Sequence, residues 1–190
     1  MPTLVANDLE QARQYFAATR TRVEEATAGL SDAQLRFKPG SDRWSIGEIL
    51  EHMVIVHERI LTRILAQLPQ APAPAPDRDS PLLDAIVVEK IPDRSIKANA
   101  PDFIQPTGTM PAFAALDAIF RNHERLLSIL ESTPGLRDHV LESPPLRVVT
   151  NGAYETSDGY QWILTAAGHD ERHVRQILEV KEHPSYPAAA

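Results

Sequence analysis

Three histidines carry the chemistry-bearing pattern of this chain: His52, His169 and His173. The last two fall in Ala167-Gly168-His169-Asp170-Glu171-Arg172-His173, spaced i, i+4. On an α-helix that spacing puts both imidazoles on one face, a turn apart, where they can share an ion. His52 belongs to a separate run of helical periodicity, Trp44 to Leu68. Catalytic zinc-type sites commonly take three protein ligands and keep one position open for water or substrate. What matters is whether two helices bring the three imidazoles together. The run is not the His-Glu-x-x-His of zinc peptidases, because Asp170 replaces the general-base Glu and Glu171 points to the far side of the helix. A peptidase reading is therefore poor.

The neighbours of these histidines set the rest of the chemistry. At about 100° per residue, Trp162, Ile163, Ala166, Val174, Ile177 and Val180 form one apolar face, with His169 and His173 towards one edge. Asp170 falls inside that face, and a buried carboxylate is costly unless partnered. It either hydrogen-bonds a ligand imidazole or pairs with an arginine, and the arginine pair is the favoured expectation. His52 lies on the shoulder of its own apolar stripe, with Glu48 and Arg59 in its column, a setting for a polar pocket. His57 and His123 lie within apolar stripes and read first as core histidines bonded to a neighbour, with proton transfer or substrate contact as the other role. Trp44 and Trp162 read first as packing, with Trp162 a candidate pocket floor. Tyr154 and Tyr160 flank the start of the last helix, within reach of a substrate. Arg59/Arg63 and Arg172/Arg175 read as surface pairs, or as a carboxylate clamp if one faces the ion.

Four long helices must position these groups. The periodicity predicts helices over about 5–28, 45–68, 111–132 and 157–182, separated by proline-rich connections. The first buries Leu9, Ala12, Phe16, Thr19 and Val23; the third buries Phe113, Leu116, Ile119, Phe120, His123 and Leu126. Ser31 to Gln34 can start a short turn, Pro111 suits a first-turn position, and Ser157 or Asp158 caps the last helix. Pro69 ends the second. The stretch 69–110 opens with alternating Pro and Ala and is expected to be a flexible connection with one short helix at 82–89. A second link covers 135–156, with Leu146 to Val149 extended before an Asn151-Gly152 turn. Four amphipathic helices with a long crossover describe an all-α four-helix bundle, a fold that builds metal sites from facing helices.

The composition narrows the partners. A length of 190 residues is most simply one domain, 1–190. Nineteen basic against 26 acidic residues, net charge −7 with no Lys/Arg run, argue against a nucleic-acid or anionic-membrane surface. With no cysteine, a metal would have to use His, Asp or Glu. The N-terminus, Met1 to Asp8, has no signal-peptide pattern and no apolar stretch approaches a bilayer span, so a cytoplasmic protein is expected.

Trp44-Ser45-Ile46-Gly47-Glu48-Ile49-Leu50-Glu51-His52-Met53 resembles the second-helix signature of the DinB/YfiT-like metal-binding bundles, in which a histidine eight positions after the Trp is a ligand. His169 to Ile177, a His-x-x-x-His run leading into Gln176-Ile177, is similar to that family's fourth-helix run, and Leu35-Arg36-Phe37-Lys38-Pro39 fits upstream. The resemblance implies an up-down-down-up bundle that often dimerises, with His52, His169 and His173 holding a divalent ion, zinc or nickel. Members include low-molecular-weight-thiol S-transferases and mycothiol-dependent isomerases, and many have no assigned reaction. Arg175, where relatives often carry Gly, and the long 70–110 segment depart from the pattern. Two functions follow. In one, the ion activates a thiol or water against a small-molecule substrate, the thiol being favoured by the resemblance alone. In the other, the ion staples helices in a non-catalytic metal-binding or interaction protein. A bundle without metal is the third, weaker option.

Overall fold

The computed structural model describes residues 6–188. Seven α-helices and two short strands follow in order: α1 Ala6–Thr27, α2 Asp32–Arg36, α3 Ile46–Thr62, α4 Ser80–Lys90, α5 Ala112–Ser132, β1 Val140–Glu142, α6 Pro144–Val149, β2 Thr156–Asp158 and α7 Gly159–Lys181. The long helices α1, α3, α5 and α7 form a four-helix bundle, with α4 laid against α7. α1 and α3 make little contact with each other, and each packs on α5 and α7. Val5, the expected start of the first helix, lies outside the described residues.

Side-chain caps decide where the site-bearing helices begin. At α3, Ser45 Oγ accepts from the Glu48 N–H (3.2 Å) while the Ser45 N–H donates to Glu48 Oε2 (2.8 Å). This reciprocal pair satisfies two otherwise orphaned donors. Asp158 and Gln161 build the same box at α7, and Ser31 and Gln34 at α2. The helical run does not stop ahead of Pro69: α3 ends at Thr62, and a π-turn, Arg63–Gln67, and a 3-10 turn, Leu68–Gln70, carry the chain through the proline. Pro111 sits at the N-cap of α5, one place before the first helical residue.

The apolar core falls into two clusters. One gathers Phe16, Leu61, Leu83, Leu126, Leu136 and Ile163; the other gathers Val23, Ile46, Leu50, Met53, Ile119 and Ile177. Between them every long helix contributes a buried polar residue: Thr19, His57, Asn122, His123 and Asp170. Helical periodicity alone reads that layer as core.

Three expectations fail here. Phe113 is exposed in the first turn of α5, where Ala115 instead faces the bundle. Residues 146–149 are helical rather than extended, because Ser143 Oγ caps Leu146 and the two prolines at 144 and 145 suit a first turn. The strands pair antiparallel, Val140 opposite Asp158, in what was expected to be plain link. The Asn151-Gly152 turn is present, both residues at positive φ (50° and 83°).

The 71–111 connection carries α4 and then crosses the end of the bundle. Arg172 donates to the carbonyls of Asp93 and Ile96 (2.7 Å to the latter), Arg175 to that of Pro92 (3.2 Å). Further on, Glu51 accepts from Thr107 Oγ1 (2.6 Å) and the Gly108 N–H (2.7 Å). The segment is thereby tied to α7 at one end and to α3 at the other.

Candidate metal centre

α3 and α7 bring His52, His169 and His173 together. Their Nε2 atoms converge: His52 to His169 is 3.1 Å and His173 to His169 is 3.0 Å. The α3 capping box fixes the start of the helix carrying His52, and the i, i+4 spacing does the rest on α7. His52 and His173 are buried, while the side chain of His169 keeps 16% of its surface. The Trp44 ring lies against His52, centroids 4.7 Å apart.

The outer nitrogens fix the tautomers. His52 Nδ1 donates to the Ile104 carbonyl at 2.7 Å, and a carbonyl can only accept. His52 therefore presents a lone pair at Nε2. His173 Nδ1 donates to Gln176 Oε1 at 2.8 Å and likewise presents Nε2. Both lone pairs face His169 Nε2, whose single proton could satisfy only one of them. Burial, followed by the neighbouring His169, pushes His52 down to about 3. Burial also lowers His169, and holds His173 well below the usual histidine range with His169 and His52 adding to it. Three neutral imidazoles with converging lone pairs fit a cation. Nitrogens about 2.1 Å from a tetrahedral zinc lie about 3.4 Å apart, a few tenths beyond the spacing here.

A second group lies deeper. Asp170, fully buried, accepts from His57 Nε2 (2.9 Å) and His123 Nε2 (2.6 Å). Burial would raise the Asp170 carboxyl, but the two histidines hold it well below the usual carboxylate range. The expected arginine partner is thus replaced by two imidazoles, since the interior of the layer offers histidines from α3 and α5. His123 is committed to that contact and does not line the first site.

The other expected pocket residues lie elsewhere. Glu48 is spent on the α3 cap and on Lys38 Nζ (2.7 Å). The Arg59 guanidinium covers the exposed Phe103 ring at 4.2 Å, pinning the crossover from outside. Trp162 packs in the other apolar cluster beneath Arg63 (4.6 Å), seven residues and about 10 Å along α7 from His169. Tyr160 bonds the Asp8 carbonyl (3.0 Å), and Arg172 and Arg175 hold the crossover rather than a ligand. Ile104 and Glu51 escape a sequence reading: one acts through its backbone, and the other reads as an ordinary helix surface charge. Gln176 did have a signal, its place after His173 in the helical run.

A helical bundle in which two facing helices converge three imidazoles defines a histidine-site bundle. The chain belongs to the DinB superfamily, whose family model matches residues 15–177. It is 26% identical over 171 residues to the "Uncharacterized protein YuaE" of Bacillus subtilis (strain 168), covering 88% of this chain and 95% of that protein. Its fold is similar to that of YfiT from Bacillus subtilis (TM-score 0.59, 12% identity, 98% of this chain and 93% of that one). YfiT is described as "a probable metal-dependent hydrolase with an unusual four-helix bundle topology".

Proposed function

We propose that His52, His169 and His173 hold one divalent cation, zinc or nickel, in a metal-dependent enzyme that activates water or a thiol against a small-molecule substrate. The observation carrying this is the convergence of the His52 and His173 Nε2 atoms on that of His169, at 3.1 and 3.0 Å, with the tautomers of His52 and His173 fixed by Ile104 and Gln176. A cation there supplies Lewis acidity, lowering the pKa of a water or thiol that reaches its open position. The chain's own residues do the positioning. Ile104 and Gln176 orient two ligands, Trp44 covers His52, and the crossover shields the site from bulk water. The hydrolase description of YfiT supports water as the nucleophile. The thiol reading rests on the family resemblance alone. The near-complete burial of His52 and His173 favours a second reading, a structural staple between α3 and α7.

Elemental analysis of protein expressed with zinc or nickel tests the site. About one ion per chain is expected, and a His169→Ala protein should retain none. Substoichiometric metal in the wild type would end the metal reading. Turnover of generic esters, and of electrophiles with low-molecular-weight thiols, then separates the chemistries. A cobalt-loaded protein whose spectrum ignores azide and thiols, and that turns over nothing, is a staple.

A further inference from the structure

We propose that Asp170 is the counter-charge and orienting residue of the three-histidine site, acting on its cation through His169 and held in place by His57 and His123. This rests on the cation reading above and deepens it. Of the three candidate ligands, His52 and His173 each have an acceptor for Nδ1, whereas the buried Nδ1 of His169 has none. The carboxylate beside it is Asp170, with Oδ1 4.0 Å away, beyond hydrogen-bond reach by about 1 Å. Histidine ligands of metals almost always donate their outer N–H to such a group, which orients the ring and strengthens it as a ligand.

The charge balance points the same way. Asp170 is completely buried, and among the described residues its partners in ion-pair range are all histidines. No described lysine or arginine lies in that range to match the carboxylate. Three neutral imidazoles around a dication leave the opposite excess a few ångströms away, among largely buried side chains. Each charge answers the burial cost of the other.

The deeper group also has the ligand types of a cation site of its own, its atoms all within 4.8 Å of one another. The hydrogen-bonded arrangement describes it better. Its contacts of 2.6 and 2.9 Å are ordinary N–H to carboxylate lengths. Binding a cation through both Nε2 atoms would move the protons to Nδ1 of His57 and His123, which are buried without acceptors. Orphaned N–H donors are the rarer and costlier defect.

Zinc affinity by chelator competition, with melting temperatures before and after loading, tests the assignment. Asp170→Asn is expected to weaken zinc binding 10–100-fold and to shrink the zinc-induced rise in Tm. A purely structural role would lower both melting temperatures and leave the rise intact. Asp170→Asn binding within about threefold of wild type, with wild-type binding normal, overturns the proposal alone. A wild type that takes up no cation overturns it together with the reading beneath it. A crystal structure of the zinc-loaded wild type decides even if the variant fails to fold. His169 Nδ1 within about 3.2 Å of Asp170 supports the proposal; a gap still near 4 Å, or a second ion among His57, His123 and Asp170, overturns it.

Discussion

Burial at the three-histidine site keeps the imidazoles neutral, and that neutrality has a consequence for acid stability. His52, lowered to about 3, and His123, His169 and His173, all lowered first by burial, refuse protons that the unfolded chain accepts near pH 6.5. The unfolded state then binds more protons, so stability falls as pH drops below about 6.5 and continues falling towards about 3. Asp170 adds to the loss at lower pH: its depressed carboxyl contributes stability above the ordinary carboxylate range, lost as pH falls through the folded value. Each histidine contributes at most about 1.4 kcal/mol per pH unit. Denaturant titration of chelator-treated protein in steps from pH 7.5 to 4 should show midpoints moving steadily down; a flat series would contradict the neutral, buried histidines. At this scale the pair His169/His173 was legible in the sequence because helical spacing is local. The carbonyl of Ile104, 52 residues from the ring it fixes, was not.

The helices themselves are legible through caps and stripes, yet their interior chemistry is not. Thr19, His57 and His123 sit in register with apolar residues, and only the packing of four helices shows that they form one polar layer between two apolar clusters. α7 also depends on a residue without a side chain. A Cβ on Gly159 would meet Leu68 Cδ2 at 2.6 Å and the Leu136 carbonyl oxygen at 2.8 Å. The Leu136 carbonyl accepts the Gly159 N–H at 2.7 Å, so the backbones cannot part without losing that bond. Gly159→Ala should cost about 1–3 kcal/mol through overpacking, seen as a Tm lower by roughly 2–12 °C. An unchanged Tm would mean that the junction of β2 and α7 is looser than it is drawn.

Across the whole molecule, two sets of arginines hold the connections in place. At one end Arg137, 5% exposed, reaches Asp84 (2.8 Å), Asp158 (3.0 Å) and Asp8 (3.2 Å), joining α1, α4 and the start of α7. Arg137→Ala strands buried carboxylate charge and should cost about 3–5 kcal/mol, measurable by denaturant unfolding; a loss below 1 kcal/mol would show that water already screens the cluster. At the other end Arg172 holds the crossover over the histidines. Arg172→Ala should speed amide hydrogen exchange across residues 92–104 while leaving α7 protected. Equal protection in both proteins would show that Arg175, on the Pro92 carbonyl, and Arg94, paired with Glu179 at 2.6 Å, suffice without it.

What the chain determines by itself is what local physics can write: helix starts from capping boxes, helix faces from a period of 3.6, and two histidines a turn apart. Those signals also carried the family resemblance, since one motif spans the start of α3 with its cap and the other lies within α7. The tertiary structure alone decided which polar groups meet. It gave Asp170 two histidines instead of an arginine, moved Glu48, Arg59 and Trp162 away from the site, and laid a carbonyl from a distant crossover against His52. A buried polar group takes whichever partner the packing delivers, and packing depends on residues far apart in the chain.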